Sequence, residues 1–237
     1  MSLLEVSDLD VRHGLLQAVR GVSFELDEGE TLALVGANGA GKSTLLSAIA
    51  GAHRPNGGTI RLDGRPITNL PAHRRVGIGI ALVPEGRRLF QSLTVEENLL
   101  VAGRPGYWTL ERVLEAFPLL PPRRGHRAAT LSGGERQATA IARALMSNPR
   151  LLLLDEVSLG LAPAAIEDVY RSLARVTDAG TTVLLVEQDL TRALGFARRV
   201  MCMLEGRIVL EGDPAALARE QITEAYFGLA RTGAPSR

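Results

Sequence analysis

Residues 31–51 read TLALVGANGAGKSTLLSAIAG. The first five are apolar or β-branched, and predict a strand buried on both faces. LLSAIA places Leu45, Leu46 and Ile49 at helical spacing and stops at Gly51. Between them lies Gly36-Ala37-Asn38-Gly39-Ala40-Gly41-Lys42-Ser43-Thr44. A strand, a glycine-rich turn, then lysine and serine at a helix start predict a phosphate-binding loop. Its amides would face inward around the phosphates, and the helix amino terminus adds positive potential. Lys42 would reach the β- and γ-phosphates, and the Ser43 hydroxyl can ligate Mg²⁺.

Composition singles out the same lysine. Of 27 basic residues, Lys42 is the one that is not arginine. A position that resists that bias needs a compact ammonium rather than a planar fork.

An ATP site of this kind needs an acidic partner for its metal. LLLLDE (151–156) supplies Asp155, for Mg²⁺, and Glu156, which could polarise the attacking water. A third element is Leu131-Ser132-Gly133-Gly134-Glu135, set before the helical segment ERQATAIARALMSNP. It makes a second helix start suited to an anion. One ATP does not need two such loops from one chain, so this loop is expected to close over the ATP of another.

In this order, GANGAGKST, LSGGE and LLLLDE resemble the ATP-binding subunit of an ATP-binding-cassette (ABC) transporter, over nearly the whole chain. VPEGRRLFQSLTVEENL, LMSNPRLLLLDE, SLGLAP, LLVEQ and ITEAYFG are similar to the LivF-type cassettes of branched-chain amino acid importers. The resemblance implies an α/β fold, the P-loop NTPase of ABC type. It implies one domain, 1–237, with a catalytic core (1–85 and 151–237) and a helical subdomain at about 86–150. It implies a nucleotide-sandwich dimer with a second cassette, a heterodimer in the transporter or a homodimer in isolation. Two membrane permeases and, indirectly, an extracytoplasmic solute-binding protein complete the partners. The cofactors implied are ATP and Mg²⁺, and the place is the cytoplasmic face of the cell membrane. The substrate is not written in these stretches: branched-chain amino acids, urea, short amides and aromatic acids all stay open.

Four positions depart from the family pattern. VLLVEQDL (183–190) puts Gln188 where the family has a switch histidine against the γ-phosphate. Glutamine keeps an N–H donor but cannot become cationic; the other reading is a cap on the next helix. Glu85, in Val83-Pro84-Glu85, stands where the lid loop carries a metal-touching glutamine, and is a harder oxygen ligand. His13 takes the place of the aromatic residue that stacks on adenine, or is a solvated turn residue. Val157 replaces a usual proline, with no functional account.

EVSDLDV, GVSFELDEG and GTIRLDG alternate between glycine turns and predict an antiparallel β subdomain beside a mixed-sheet core. VMCMLEGRIVLEGD predicts a hairpin across Glu205-Gly206, with Cys202 in the core. Residues 90–102 and 107–117 carry helical spacing. In EGRRLFQSL (85–93), Leu89 and Phe90 are expected to be exposed to a permease helix, unless Phe90 is core.

With 46% hydrophobic and 22% charged residues the chain is globular, and a net charge of +1 supplies no field for nucleic acid. The start, with acids where a secretion signal carries bases, predicts an intracellular protein. A P-loop kinase would leave LSGGE without work. A DNA-repair or translation cassette would bring a coiled-coil insertion or a second cassette. A regulatory nucleotide-binding module is the remaining competitor: Gln188 favours it and Glu156 opposes it.

Overall fold

The computed structural model describes residues 2–228; Met1 and residues 229–237 of the expected domain lie outside the described residues. The strands are β1 (Ser2–His13), β2 (Leu16–Asp27), β3 (Thr31–Val35), β4 (Gly57–Leu62), β5 (Arg65–Pro66), β6 (Ile80–Val83), β7 (Leu151–Asp155), β8 (Thr182–Glu187), β9 (Arg199–Leu204) and β10 (Arg207–Gly212). The helices are α1 (Lys42–Ile49), α2 (Ala72–Gly77), α3 (Val95–Leu100), α4 (Leu110–Ala116), α5 (Gly133–Leu145), α6 (Pro163–Asp178), α7 (Leu190–Phe196) and α8 (Arg219–Phe227).

Strands with nearly continuous apolar runs must be covered on both sides, and β3, β7 and β8 are buried throughout. Successive side chains point to opposite faces. Leu32, Leu34, Leu151, Leu153, Leu184 and Val186 therefore pack toward α1 and the amino-terminal strands. Leu152, Leu154, Val183 and Leu185 face Ile141 of α5 and Val169 of α6. Ala33, Val35 and Cys202 pack against Ala193 of α7 and Ile222 of α8. Burial pushes the Cys202 thiol up to about 11, so it behaves as a small apolar residue.

The central sheet has the order β10-β9-β3-β8-β7-β6, parallel except for β10. The alternating segments form a separate antiparallel sheet, β2-β1-β4-β5. The hairpin at Glu205-Gly206 is present, both residues taking positive φ (46° and 84°). Parallel pairing places the carboxyl ends of β3, β8, β7 and β6 at one edge. Gly36, Gln188, Glu156 and Pro84 therefore leave the sheet side by side.

Two helices are shorter than their spacing predicts. The segment 90–102 is helical only over α3, and 107–117 only over α4. Thr94 starts α3 with a capping box to Glu97, and Thr109 caps α4 through the Arg112 N–H. Residues 90–93 are instead wrapped around Asn98, which bonds the Phe90 N–H and the carbonyls of Phe90 and Leu93. That turn buries Leu89, 7% exposed, and leaves Phe90 half-exposed at 51%, so of the expected exposed pair only Phe90 faces solvent.

Candidate functional site

The phosphate loop is built by what its glycines touch. A side chain at Gly41 would lie 2.1 Å from the Ala18 carbonyl, so only glycine fits there at φ 105°. Gly39, at φ 81°, meets no atom within 4 Å and faces open space. The Gly206 N–H donates to the Ala40 carbonyl at 2.9 Å, so the β9–β10 turn supports the loop from below.

Lys42 opens α1 and is 4% exposed. Its Nζ donates to the carbonyls of Gly36 (2.7 Å) and Ala37 (3.0 Å), and lies 3.9 Å from Glu156 Oε1. Burial lowers its pKa, against the opposing pull of the Glu156, Asp155 and Glu187 carboxylates. Ser43 Oγ donates to Asp155 Oδ1 at 2.8 Å, joining the helix start to the end of β7. Burial pushes Asp155 upward, the Ser43 bond and Lys42 oppose this, and the carboxylates of Glu156 and Glu85 add to it. Glu85 lines the same cavity as Asp155 and Glu156.

Serine hydroxyl and carboxylate oxygens crowded in this way fit a hard divalent cation, which would relieve their mutual repulsion. Among the described residues no group of three or more His, Cys, Asp or Glu is arranged to hold a metal alone. A Mg²⁺ ion takes one or two carboxylates and completes its shell with phosphate oxygens and water.

Glu156 adopts φ 48°, in the left-handed region, and its N–H donates to the Val186 carbonyl at 3.0 Å. It walls two cavities at once. One, of about 220 Å³, follows the phosphate loop past Asn38, Lys42 and Thr44 to His13 and Leu16. The other, of about 170 Å³, runs past Asp155 to Glu85, Arg87, Gln137 and Leu159. His13 Nε2 is 3.1 Å from Thr44 Oγ1, and its ring lies 4.6 Å from that of His53. A larger cavity of about 390 Å³ lies elsewhere, beside Tyr107, Trp108 and Arg150. Its charged groups Glu28 and Arg150 are already paired at 3.0 Å, so it offers no free charge.

The polar residues Glu187, Gln188 and Asp189 at the end of β8 divide the work among them. Glu187 does not emerge with the other two; it is the last strand residue and is 1% exposed. Asp189 caps α7 by accepting from the Arg192 N–H. The capping role open to Gln188 thus belongs to its neighbour. Among the described residues no side chain fixes the Gln188 carboxamide; its backbone N–H donates to Glu187 Oε2. Gln188 stands at the shared sheet edge but lines neither cavity.

Ser132 caps α5 in a box with Glu135: its Oγ accepts from the Glu135 N–H, and Glu135 Oε2 accepts from the Ser132 N–H. Glu135 also pairs with Arg123 at 2.6 Å. Leu131 is buried, and a side chain at Gly134 would meet Ala165 of α6 at 2.7 Å. Leu131–Glu135 line neither cavity at the phosphate loop. Val157 is fully buried core.

Several site residues carried no local signal. Arg87 donates from Nε to Gln137 Oε1 (2.8 Å) and from Nη2 to the Leu159 carbonyl (3.3 Å), joining the lid to α5 and to the turn after Glu156. Arg87 also lines a surface groove with Val76, Pro84, Ala102 and Arg143. The Arg143 guanidinium lies over the Phe90 ring at 5.6 Å. Leu16 was detectable: an exposed leucine next to Leu15 in a glycine turn has no core to serve.

A phosphate loop, a serine–aspartate metal pair and an exposed serine-glycine helix start define the class: an ATPase cassette. The family described as ABC transporter matches residues 19–158, and the chain belongs to it. It is 44% identical over 232 residues to the high-affinity branched-chain amino acid transport ATP-binding protein BraG of Pseudomonas aeruginosa, covering 95% of this chain and 100% of that protein. The high-affinity branched-chain amino acid transport ATP-binding protein BraF of the same organism is 32% identical over 249 residues (95% of this chain and 98% of that protein covered). A probable branched-chain amino acid transport ATP-binding protein LivF of Archaeoglobus fulgidus is 36% identical (92% and 95% covered). Among solved structures, a dimeric post-hydrolysis ATP-binding cassette bound to ADP and Pi superposes with a TM-score of 0.78, at 26% identity, covering 90% of this chain and 100% of that one. No helix of the described residues is long and apolar enough to cross a membrane.

Proposed function

We propose that this chain is the ATP-hydrolysing subunit of a branched-chain amino acid importer. It works with a second, different cassette on two permeases at the inner face of the membrane. The observation that carries the reading is the incomplete site: four parallel strand ends gather the phosphate loop, Asp155, Glu156 and Gln188, while Ser132 and Gly133 stand apart. That two cassettes of one organism bear the same transport description supports a pair of unlike chains.

The loop amides and Lys42 bind the β- and γ-phosphates, Lys42 trading its bonds to the loop carbonyls for phosphate oxygens. His13 and Leu16 flank the adenine. Ser43, Asp155 and Glu85 hold Mg²⁺, which when bound neutralises phosphate charge. Glu156 orients the water, and Gln188 donates to a γ-phosphate oxygen. The partner's serine-glycine loop closes the site, as this chain's Ser132 and Gly133 close the partner's.

Gln188 makes the two sites unequal. Lacking a cationic donor, this chain's site loses about 1.5–3 kcal/mol of transition-state stabilisation, or roughly 10- to 150-fold in rate. Hydrolysis then runs mainly in the partner's site. The substrate is tested by reconstituting the chain with its partner cassette, permeases and binding protein, and following ATP-dependent uptake of labelled leucine. Uptake of urea or an aromatic acid in place of leucine, isoleucine and valine contradicts the substrate assigned.

A further inference from the structure

Glu187 is a buried carboxylate with all its oxygens committed to neutral donors. Oε2 accepts from Ser158 Oγ (2.9 Å) and from the Gln188 N–H (3.2 Å). Oε1 accepts from the Tyr170 hydroxyl (2.8 Å) and the Ser158 N–H (3.3 Å). Taking a carboxylate out of water is expensive even when it is hydrogen-bonded, and an apolar residue could end the strand at less cost. What the carboxylate joins explains its presence. Ser158 lies in the turn that follows Glu156, two residues on, and Gln188 begins the segment on the other side. Tyr170 anchors the group from α6, its phenol held protonated far above the usual range by burial and by Glu187 itself. Glu156 sits in a left-handed conformation that needs surroundings to over-determine it, and the two bonds from Ser158 fix the chain directly after that bend.

We propose that Glu187 is a positioning residue that sets Glu156 and Gln188 at a fixed separation across the γ-phosphate. Its lone pairs are all used, so it does not itself take a proton from water. This inference rests on the assignment of Glu156 and Gln188 to the γ-phosphate.

The test is steady-state ATPase in the assembled complex on a background of Ser132→Arg in this chain, which blocks the partner's site and leaves only the residual turnover of this chain's own. ATP affinity and melting temperature are measured beside it, and each kcat is read against that background. In Glu187→Gln the amide nitrogen faces a donor, so one loop N–H loses its acceptor while the shape is kept. The expected result is a kcat about ten- to a hundredfold lower, with ATP affinity within about twofold. Ser158→Ala is expected to lower kcat too, with little change in melting temperature. The double variant should be no slower than Glu187→Gln alone, because both break one link. Should Glu187→Gln fail to fold, Ser158→Ala decides. The background kcat in Ser158→Ala, and in Glu187→Gln where it folds, makes Glu187 a core anchor only and overturns the proposal. Glu156→Gln separates the two levels. Turnover that survives it overturns the site reading and this inference together; turnover lost there but kept in the other two overturns the positioning role alone.

Discussion

Lys42 bonds two carbonyls of its own loop and stands 3.9 Å from Glu156, so a phosphate oxygen must replace bonds already made. The replacement is favourable because a charge-assisted bond in a partly dry site outweighs one to a neutral carbonyl. Lys42→Ala should therefore weaken ATP binding by about 2–3 kcal/mol, or roughly 30- to 150-fold; unchanged affinity in a titration contradicts its role. Gln188 is argued the other way. If this chain's site is the slow one, Gln188→Ala in the assembled complex should lower turnover less than about threefold. Complete loss of turnover would mean that glutamine is a working switch and the sites are equal. At this scale the loop was legible, because the order and spacing of its glycines, Lys42 and Ser43 can be read along the chain, although Ala40, Ser43 and Thr44 meet partners far away in sequence. Glu187, Arg87 and Gln137 were not. Glu187 meets partners 17 and 29 residues away, and the pattern of VLLVEQDL cannot tell a buried strand end from an emerging one.

Helix α1 carries the phosphate loop, and its far end is held by an unusual side chain. Arg75, 1% exposed, donates to the carbonyls of Ala48 and Ile49 (both 2.7 Å), of Leu70 (2.9 Å) and of Thr68 (2.8 Å). Burial lowers its pKa to about 10, yet its charge complements the negative end of the helix. Arg75→Met would leave those carbonyls buried and unpaired, at a cost of about 3 kcal/mol and a fall of about 6–12 °C in Tm; a melting curve within 2 °C or so of wild type contradicts this account. Strands were legible as elements because runs such as LLLLD admit no solvent face. Helix limits were less so, since hydrophobic spacing runs through 90–102, whereas the Thr94 capping box and the Asn98 side chain decide where the helix begins.

The groove beside Phe90 links the site to its surroundings across the whole molecule. Arg87 belongs both to that groove and to the cavity at Asp155, so a permease helix lying there touches a residue that also holds the turn after Glu156. Phe90 is half-exposed and supported by Arg143 rather than by the core. Phe90→Asp should uncouple transport from hydrolysis while ATP affinity and the melting transition stay put; a collapsed transition would make Phe90 a core residue instead. The proposed pairing of cassettes has one sign in the sequence, a second anion-ready helix start that one ATP does not need. The account stands or falls on what that loop closes over. In a complex of this chain with its partner cassette and permeases, ATP turnover is measured with Ser132→Arg in this chain alone. Loss of most turnover, with ATP still bound by this chain's phosphate loop, is the result expected; turnover at the wild-type rate contradicts the shared site.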